Sequence, residues 1–348
     1  MRIGIVNDSP IAVEALRRAI AAKSGHQVAW IATNGVQAVA NCSRDTPDLV
    51  LMDLIMPGMD GVEATRQIMA SAPCAILIVT VDVGANTPRV FEAMGHGALD
   101  AVNTPTLESD NHLNVGPLIT KIETIGKLTG NRQASTATPA RDQVIPAKHP
   151  YPLIAIGASA GGPVALARLL AELPANFSAA VVLVQHVDTQ FAEGMAQWLN
   201  QHSRLPVKLA LEGDRPIPAT VLLAATADHL VLKAQDRLGY TPVPRDYVYR
   251  PSVDVFFESV VRLWRGDAVG VLLTGMGRDG ALGLKAMRDE GYHTIAQDKA
   301  SSAVYGMPKA AVALNAATEV LPLDCIAARL THLCSFGSSS GPSGGLGP

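Results

Sequence analysis

Leu153-Ile154-Ala155-Ile156-Gly157-Ala158-Ser159-Ala160-Gly161-Gly162-Pro163 decides how this chain reads. Its apolar, β-branched start predicts a buried strand. A Gly-x-Ser-x-Gly turn follows, and a helical pattern begins at once. That order lifts a serine hydroxyl above the carboxyl end of a sheet, as in a nucleophile elbow. Glycine is required where φ turns positive or where helix and strand approach closely. The stretch therefore predicts an α/β fold with Ser159 as a candidate nucleophile.

The 348 residues are enough for two domains of ordinary size. At 48% hydrophobic and 17% charged, each half can bury a full core. Aromatics make up only 4%, so aliphatic side chains must fill it. The net charge of −3 gives no general attraction to nucleic acid. Cys42, Cys74, Cys325 and Cys334 are far apart with no C-x-x-C spacing. Neither a disulfide framework nor a zinc site is expected, and a reducing cytoplasm fits. The first apolar run, Ile3 to Val6, is closed by Asp8 and is too short for a signal peptide. No stretch is long enough for membrane insertion.

Strand and helix alternate from the start. Arg2–Val6, Gln27–Ala32, Leu49–Met52, Ala75–Thr80 and Leu99–Val102 read as buried strands, with helices such as Ala12–Ala22 and Val62–Ala70 between them. This rhythm predicts a doubly wound parallel sheet. A last helix is expected over about Pro117 to Leu128, closing a first domain at 1–125. The Thr-, Ser- and Pro-rich segment 126–150 reads as a linker. A second α/β series fills 151–335. The Gly/Ser/Pro tail at 336–348 is expected to be disordered.

Asp8 follows the first strand and Asp53 the third, so both fall at neighbouring strand ends, where such sheets bind ligands. Paired carboxylates there call for a hard cation such as Mg²⁺. Thr80 ends the fourth strand and can face the same pocket. Asn7-Asp8-Ser9, Leu51 through Gly61 around Asp53, Thr80 and Gly97-Ala98-Leu99-Asp100 resemble the receiver domain of response regulators. The resemblance implies a flavodoxin-like fold in which Asp53 accepts a phosphoryl group from a histidine kinase. It implies Mg²⁺ held by Asp8, Asp53 and the Ile55 main-chain carbonyl, with Thr80 contacting the phosphoryl group. The sequence departs from the family in two places. Asn7 stands where an acid is usual, and Thr104 stands where a lysine is usual.

A serine nucleophile needs a base, and the base needs an orienting acid. Of nine histidines, His186 directly follows the next buried strand, Ala180 to Gln185. Consecutive strands are often neighbours, which would bring His186 beside Ser159. A second strand-to-glycine turn, Val269 through Gly280, carries Asp279 as the candidate acid. The N–H groups of Met276 and Ala160 are candidates for an oxyanion hole. Taken singly, Ser159 and Asp279 read equally well as helix caps, and His186 as a structural hydrogen-bonder. The order Ser159…His186…Asp279 is not that of common α/β-hydrolases. The glycines do not form a dinucleotide fingerprint.

Gly157 to Gly162, Gln185-His186, Arg250-Pro-Ser-Val-Asp-Val255, Thr274 to Gly280 and Gln297-Asp298 resemble the catalytic domain of the CheB-type chemotaxis response regulator protein-glutamate methylesterases. Asn7-Asp8 and the missing lysine give a closer resemblance to the WspF-like subgroup of a surface-sensing pathway. The resemblance implies two doubly wound parallel-sheet domains, the second Rossmann-like. It implies hydrolysis of glutamyl methyl esters on methyl-accepting receptors, with glutamine deamidation as a candidate second activity. It also implies a receiver that gates the site. The competing reading is a non-catalytic regulator that binds receptors. A DNA-binding output is disfavoured, because acids and bases balance across 151–335 and no helix-turn-helix pattern occurs.

Overall fold

The computed structural model describes residues 1–105, 114–129 and 149–336. Most of the segment read as a linker, and all but the first residue of the tail, lie outside these.

The first domain runs β1 (Arg2–Val6), α1 (Pro10–Ala21), β2 (Gln27–Ala32), α2 (Gly35–Arg44), β3 (Leu49–Met52), α3 (Gly61–Ser71), β4 (Ala75–Thr80), α4 (Thr87–Gly95), β5 (Asp100–Asn103) and α5 (Gly116–Thr129). Its five parallel strands take the order β2-β1-β3-β4-β5, the flavodoxin-like arrangement. The apolar runs become strands because both sheet faces are covered: Leu49 to Met52 are fully buried. Polar caps start the helices. The Ser9 hydroxyl accepts from the Ala12 N–H, and the Asp60 carboxylate accepts from the Glu63 N–H. The fifth strand sits one residue later than the apolar run suggests, because Leu99 N–H bonds Ile76 O while Asp100 begins the ladder at Leu77.

The second domain runs β6 (Leu153–Ala158), α6 (Gly162–Glu172), β7 (Ala180–Gln185), α7 (Thr189–His202), β8 (Val207–Leu209), β9 (Val221–Leu223), β10 (His229–Lys233), β11 (Arg237–Thr241), α8 (Val253–Leu263), β12 (Ala268–Leu272), α9 (Ala281–Asp289), β13 (His293–Gln297), α10 (Met307–Ala313), β14 (Glu319–Leu321) and α11 (Leu323–Phe336). Seven parallel strands lie in the order β14-β13-β12-β6-β7-β9-β8. The chain moves outward from β6 on one side, then returns to build the other. β12, β6 and β7 are therefore adjacent, and their carboxyl ends meet at the topological switch point. One element falls outside the parallel plan: β10 and β11 form an antiparallel hairpin.

The two domains are packed together. α4 lies on α6, and a Cβ at Gly95 would sit 2.4 Å from Val164 Cγ2. The Phe91 and Trp198 rings meet at 5.3 Å between centroids. One apolar cluster continues from Val90, Phe91 and Met94 into Leu166 and Phe191. Burying a side chain such as Phe91 contributes about 1.5–3 kcal/mol. Lys121 of α5 completes the contact, reaching Asp100 of its own domain at 2.5 Å and Asp188 of the other at 3.2 Å. Burial works against this ammonium, yet Asp100 and then Asp188 hold its pKa above the ordinary lysine value. All four cysteines are free thiols. Among the described residues no helix is long and apolar enough to cross a membrane.

Candidate active site

Ser159 leaves β6 in a turn that only glycine can complete. Gly161 has φ +78°, and a Cβ at Gly162 would lie 2.0 Å from Gln185 Oε1. The Gly162 N–H closes the turn on Ser159 O at 2.7 Å. Neighbouring strand ends hold the turn from both sides. Ser159 N–H donates to Thr274 O at 3.0 Å, and the Gln185 side-chain amide donates to Ser159 O at 2.9 Å. The Thr274 hydroxyl donates to Ala160 O at 2.9 Å. Ser159 is buried, with 2% of its surface exposed.

His186 continues the ladder between β7 and β6, its N–H bonded to Ala158 O at 3.1 Å. The register that pairs Ala158 with Gln185 therefore carries Ser159 and His186 forward as neighbours. The imidazole Nε2 lies 2.8 Å from Asp279 Oδ2. The Tyr249 ring stacks on its face at 3.7 Å between centroids. Nδ1 is buried and has no hydrogen-bond partner.

Asp279 follows β12 and reaches the start of α8. Its Oδ1 accepts from the Ser252 hydroxyl at 2.7 Å and the Asp254 N–H at 3.2 Å. Its Oδ2 accepts from the Val253 N–H at 2.7 Å besides His186. These donors occupy the carboxylate's lone-pair directions. The helix start adds partial positive charge. Burial alone would raise this carboxyl's pKa. His186, then Ser252 and the Val253 N–H, outweigh it and hold the pKa below the usual value. Asp279 is thus ionised and acceptor-only, so Nε2 is the ring nitrogen that donates to it, and Nδ1 is the one left for proton transfer.

Asp254 lies behind this contact and accepts the Gly283 N–H at 2.7 Å. Burial, and then the charge of Asp279, push its carboxyl well above the usual range. Ala160 is fully buried and Met276 partly so. Among the described residues no backbone acceptor takes either N–H.

The structure brings Ser159, His186 and Asp279 to three adjacent strand ends, as the sequence suggests. Ser252, Asp254 and Tyr249 were not assigned roles from the sequence. Their signal was present in the segment ending Tyr249-Arg250-Pro251-Ser252-Val253-Asp254, where a Ser-x-Asp helix start follows an aromatic.

In the first domain, Asp53 follows β3 and is buried. Its Oδ2 accepts the Asn7 side-chain amide at 3.0 Å, and its Oδ1 faces the Ile55 N–H at 3.4 Å. Burial raises its pKa, and the nearby Asp8 charge adds to this. Thr80 is buried at the end of β4, with the Asn86 amide 3.5 Å from its hydroxyl. Among the described residues no cluster of three or more acidic, His or Cys side chains forms a metal site. The Asp8 and Asp53 carboxylates do supply hard oxygen donors, and a cation between them would offset the Asp8 charge that adds to the effect of burial on Asp53.

Fold and site together define a class: a response-regulator receiver joined to an α/β hydrolytic domain. The response regulator receiver profile matches residues 3–112, and the CheB methylesterase profile matches residues 154–330. The chain belongs to the CheB methylesterase family. It is 61% identical to protein-glutamate methylesterase/protein-glutamine glutaminase 3 of Pseudomonas aeruginosa, over 96% of this chain and 99% of that one. It is 60% identical to protein-glutamate methylesterase/protein-glutamine glutaminase 2 of Cupriavidus metallidurans, over 97% and 99%. The crystal structure of the Thermotoga maritima CheB methylesterase catalytic domain aligns with a TM-score of 0.50 at 34% identity, covering 53% of this chain and 98% of that one.

Ser252→Ala removes both a helix cap and one of Asp279's donors. It is expected to lower stability by about 1 kcal/mol, measured by urea unfolding. Turnover should fall roughly tenfold as Asp279 loosens its hold on His186, measured by ester hydrolysis.

Proposed function

We propose that this protein is a phosphorylation-regulated protein-glutamate methylesterase of the cytoplasm, hydrolysing glutamyl methyl esters on methyl-accepting chemoreceptors. The observation that carries the reading is the His186–Asp279 contact of 2.8 Å at strand ends adjacent to the Ser159 turn. Ser159 Oγ attacks the ester carbonyl carbon while His186 Nδ1 takes its proton. Asp279 orients the ring and stabilises the imidazolium. The N–H groups of Ala160 and Met276 hold the oxyanion. His186 returns the proton to the departing methoxide, giving methanol, and water then cleaves the acyl-enzyme by the same route. Receptor glutamines would undergo deamidation by the same steps with ammonia leaving.

Asp53 is the phosphoryl acceptor for a histidine kinase, with Thr80 contacting the transferred group. Asp8, Asp53 and the Ile55 carbonyl would hold Mg²⁺, which shields phosphoryl charge when bound. The receiver's docking contact lies close to the base: Lys121 bonds Asp188, two residues after His186. Phosphorylation then acts by favouring an undocked population with an accessible site.

Ser159→Ala should reduce methanol release from methylated receptor by at least about 10⁴-fold with the fold intact. Wild-type-like release would end the triad assignment. Asp53→Asn should abolish labelling by a small-molecule phosphodonor; EDTA should suppress labelling of the wild type. Lys121→Met keeps the aliphatic stem and removes the bridging charge. It should raise unphosphorylated esterase activity about threefold or more, read from initial rates without phosphodonor.

A further inference from the structure

His229 opens β10, the first strand of the hairpin that packs on α8. Its imidazole is fully buried. Both ring nitrogens are used, and both bonds go to the loop between β11 and α8. The Ser252 N–H donates to Nδ1 at 3.0 Å, and Nε2 lies 2.8 Å from Pro244 O. A backbone N–H can only donate, so Nδ1 is the acceptor. A carbonyl can only accept, so Nε2 carries the proton. One neutral tautomer satisfies both contacts; a doubly protonated ring would set an N–H against the Ser252 N–H. Tyr247, inside the loop, meets the ring edge-on with centroids 5.8 Å apart. Burial outweighs the Pro244 carbonyl and the Asp279 charge and keeps this histidine below its ordinary pKa; Arg250 acts with burial and Asp228 against it.

We infer that His229 is a positioning residue of the ester hydrolysis: it grips the loop at Pro244 and Ser252 and, through Ser252, sets Asp279 against His186. The inference rests on His186 and Asp279 serving Ser159 as its base and orienting acid. Ser252 is the link. Its N–H is held by His229, while its hydroxyl donates to Asp279 Oδ1 at 2.7 Å. The N–H of the next residue, Val253, donates to Asp279 Oδ2 at 2.7 Å. Two of the donors to Asp279 thus take their places from backbone pinned by one imidazole. The span between the two grips also carries Tyr249, whose ring stacks on His186 at 3.7 Å between centroids. The orienting acid and the covered face of the base are therefore both tied to His229. Losing the Nδ1 acceptor leaves the Ser252 N–H buried without a partner, a cost the loop relieves only by moving. A small shift at Asp279 turns His186 away from the serine, and such misplacement slows turnover more than it weakens substrate binding.

The test compares His229→Asn with His229→Gln in the full chain. The first places an acceptor oxygen where Nδ1 stood and gives up Pro244. The second places an amide donor where Nε2 stood and leaves the Ser252 N–H bare. Methanol release from methylated receptor is measured beside wild type and Ser159→Ala, with a melting curve for each protein. His229→Gln is expected to lower kcat about 10- to 100-fold with KM within about twofold, while His229→Asn stays within about threefold of the wild-type kcat. A wild-type kcat in both variants, or an equal loss in both, overturns the inference; a histidine that only stabilises the fold lowers both melting temperatures without separating the two rates. If Ser159→Ala is inactive while His229→Gln matches wild type, the serine assignment stands and the role of His229 falls. Wild-type-like release by Ser159→Ala removes both. Should either variant be unfolded, 2-fluorohistidine at position 229 takes its place, with nearly the same shape and a much weaker acceptor at Nδ1. A kcat lowered about threefold or more at unchanged melting temperature supports the inference, and an unchanged or raised kcat overturns it.

Discussion

The buried carboxylate of Asp279, tied to the start of α8, is the constraint on which the catalytic domain depends. An ionised carboxylate away from water costs several kcal/mol unless its lone pairs are filled. Here four donors, one from His186 and three from the start of α8, fill them. Satisfying that charge fixes the approach of α8 to β12, the angle of the His186 ring and the nitrogen left for proton transfer. Burial and the charge of Asp279 push the Asp254 carboxyl behind it well above the usual range, so the pocket resists a second negative charge. The stability of the α8–β12 junction and the readiness of the base are thus two effects of one electrostatic demand.

Much of this was legible in the sequence because the informative signals were local. The apolar runs at Arg2–Val6, Leu49–Met52 and Ala75–Thr80 coincide with strands, since burial on both faces leaves an unbroken apolar pattern; Gln27–Ala32 also forms a strand, though at the sheet edge it buries only Ala32. Ser159, His186 and Asp279 stand out in the sequence because each comes after such a run. Ser252, Asp254 and Tyr249 were not given roles, because they sit on or before a helix start in a loop with no periodicity. What they touch is decided by tertiary packing. The β10–β11 hairpin escaped for a related reason: His229 to Lys233 is apolar enough to pass as one more parallel strand, and its antiparallel pairing is set by the tight turn at Ala234 to Asp236.

The receiver shows how a charge can be relocated. Asn7 replaces an acid and donates its amide to Asp53, so one repulsion becomes a hydrogen bond. Thr104 brings no ammonium; its N–H bonds Thr80 O at 2.8 Å. The domain's buried lysine is instead Lys121, which faces the second domain and meets Asp100 at the start of β5. Since β5 pairs with β4 from Leu77 to Thr80, the Thr80 end of β4 and the inter-domain ion pair lie along one strand pair.

The contact between α4 and the catalytic domain is mainly apolar, with Phe91 against Trp198 and Val90 and Met94 in the shared cluster. Separating the domains wets that surface, and hydration of apolar groups carries a large heat capacity. The hold of the receiver therefore weakens on cooling and strengthens on warming through the ordinary range. A change of temperature thus shifts the balance between docked and undocked receiver without any change in phosphorylation. The closure is a thermometer as well as a gate.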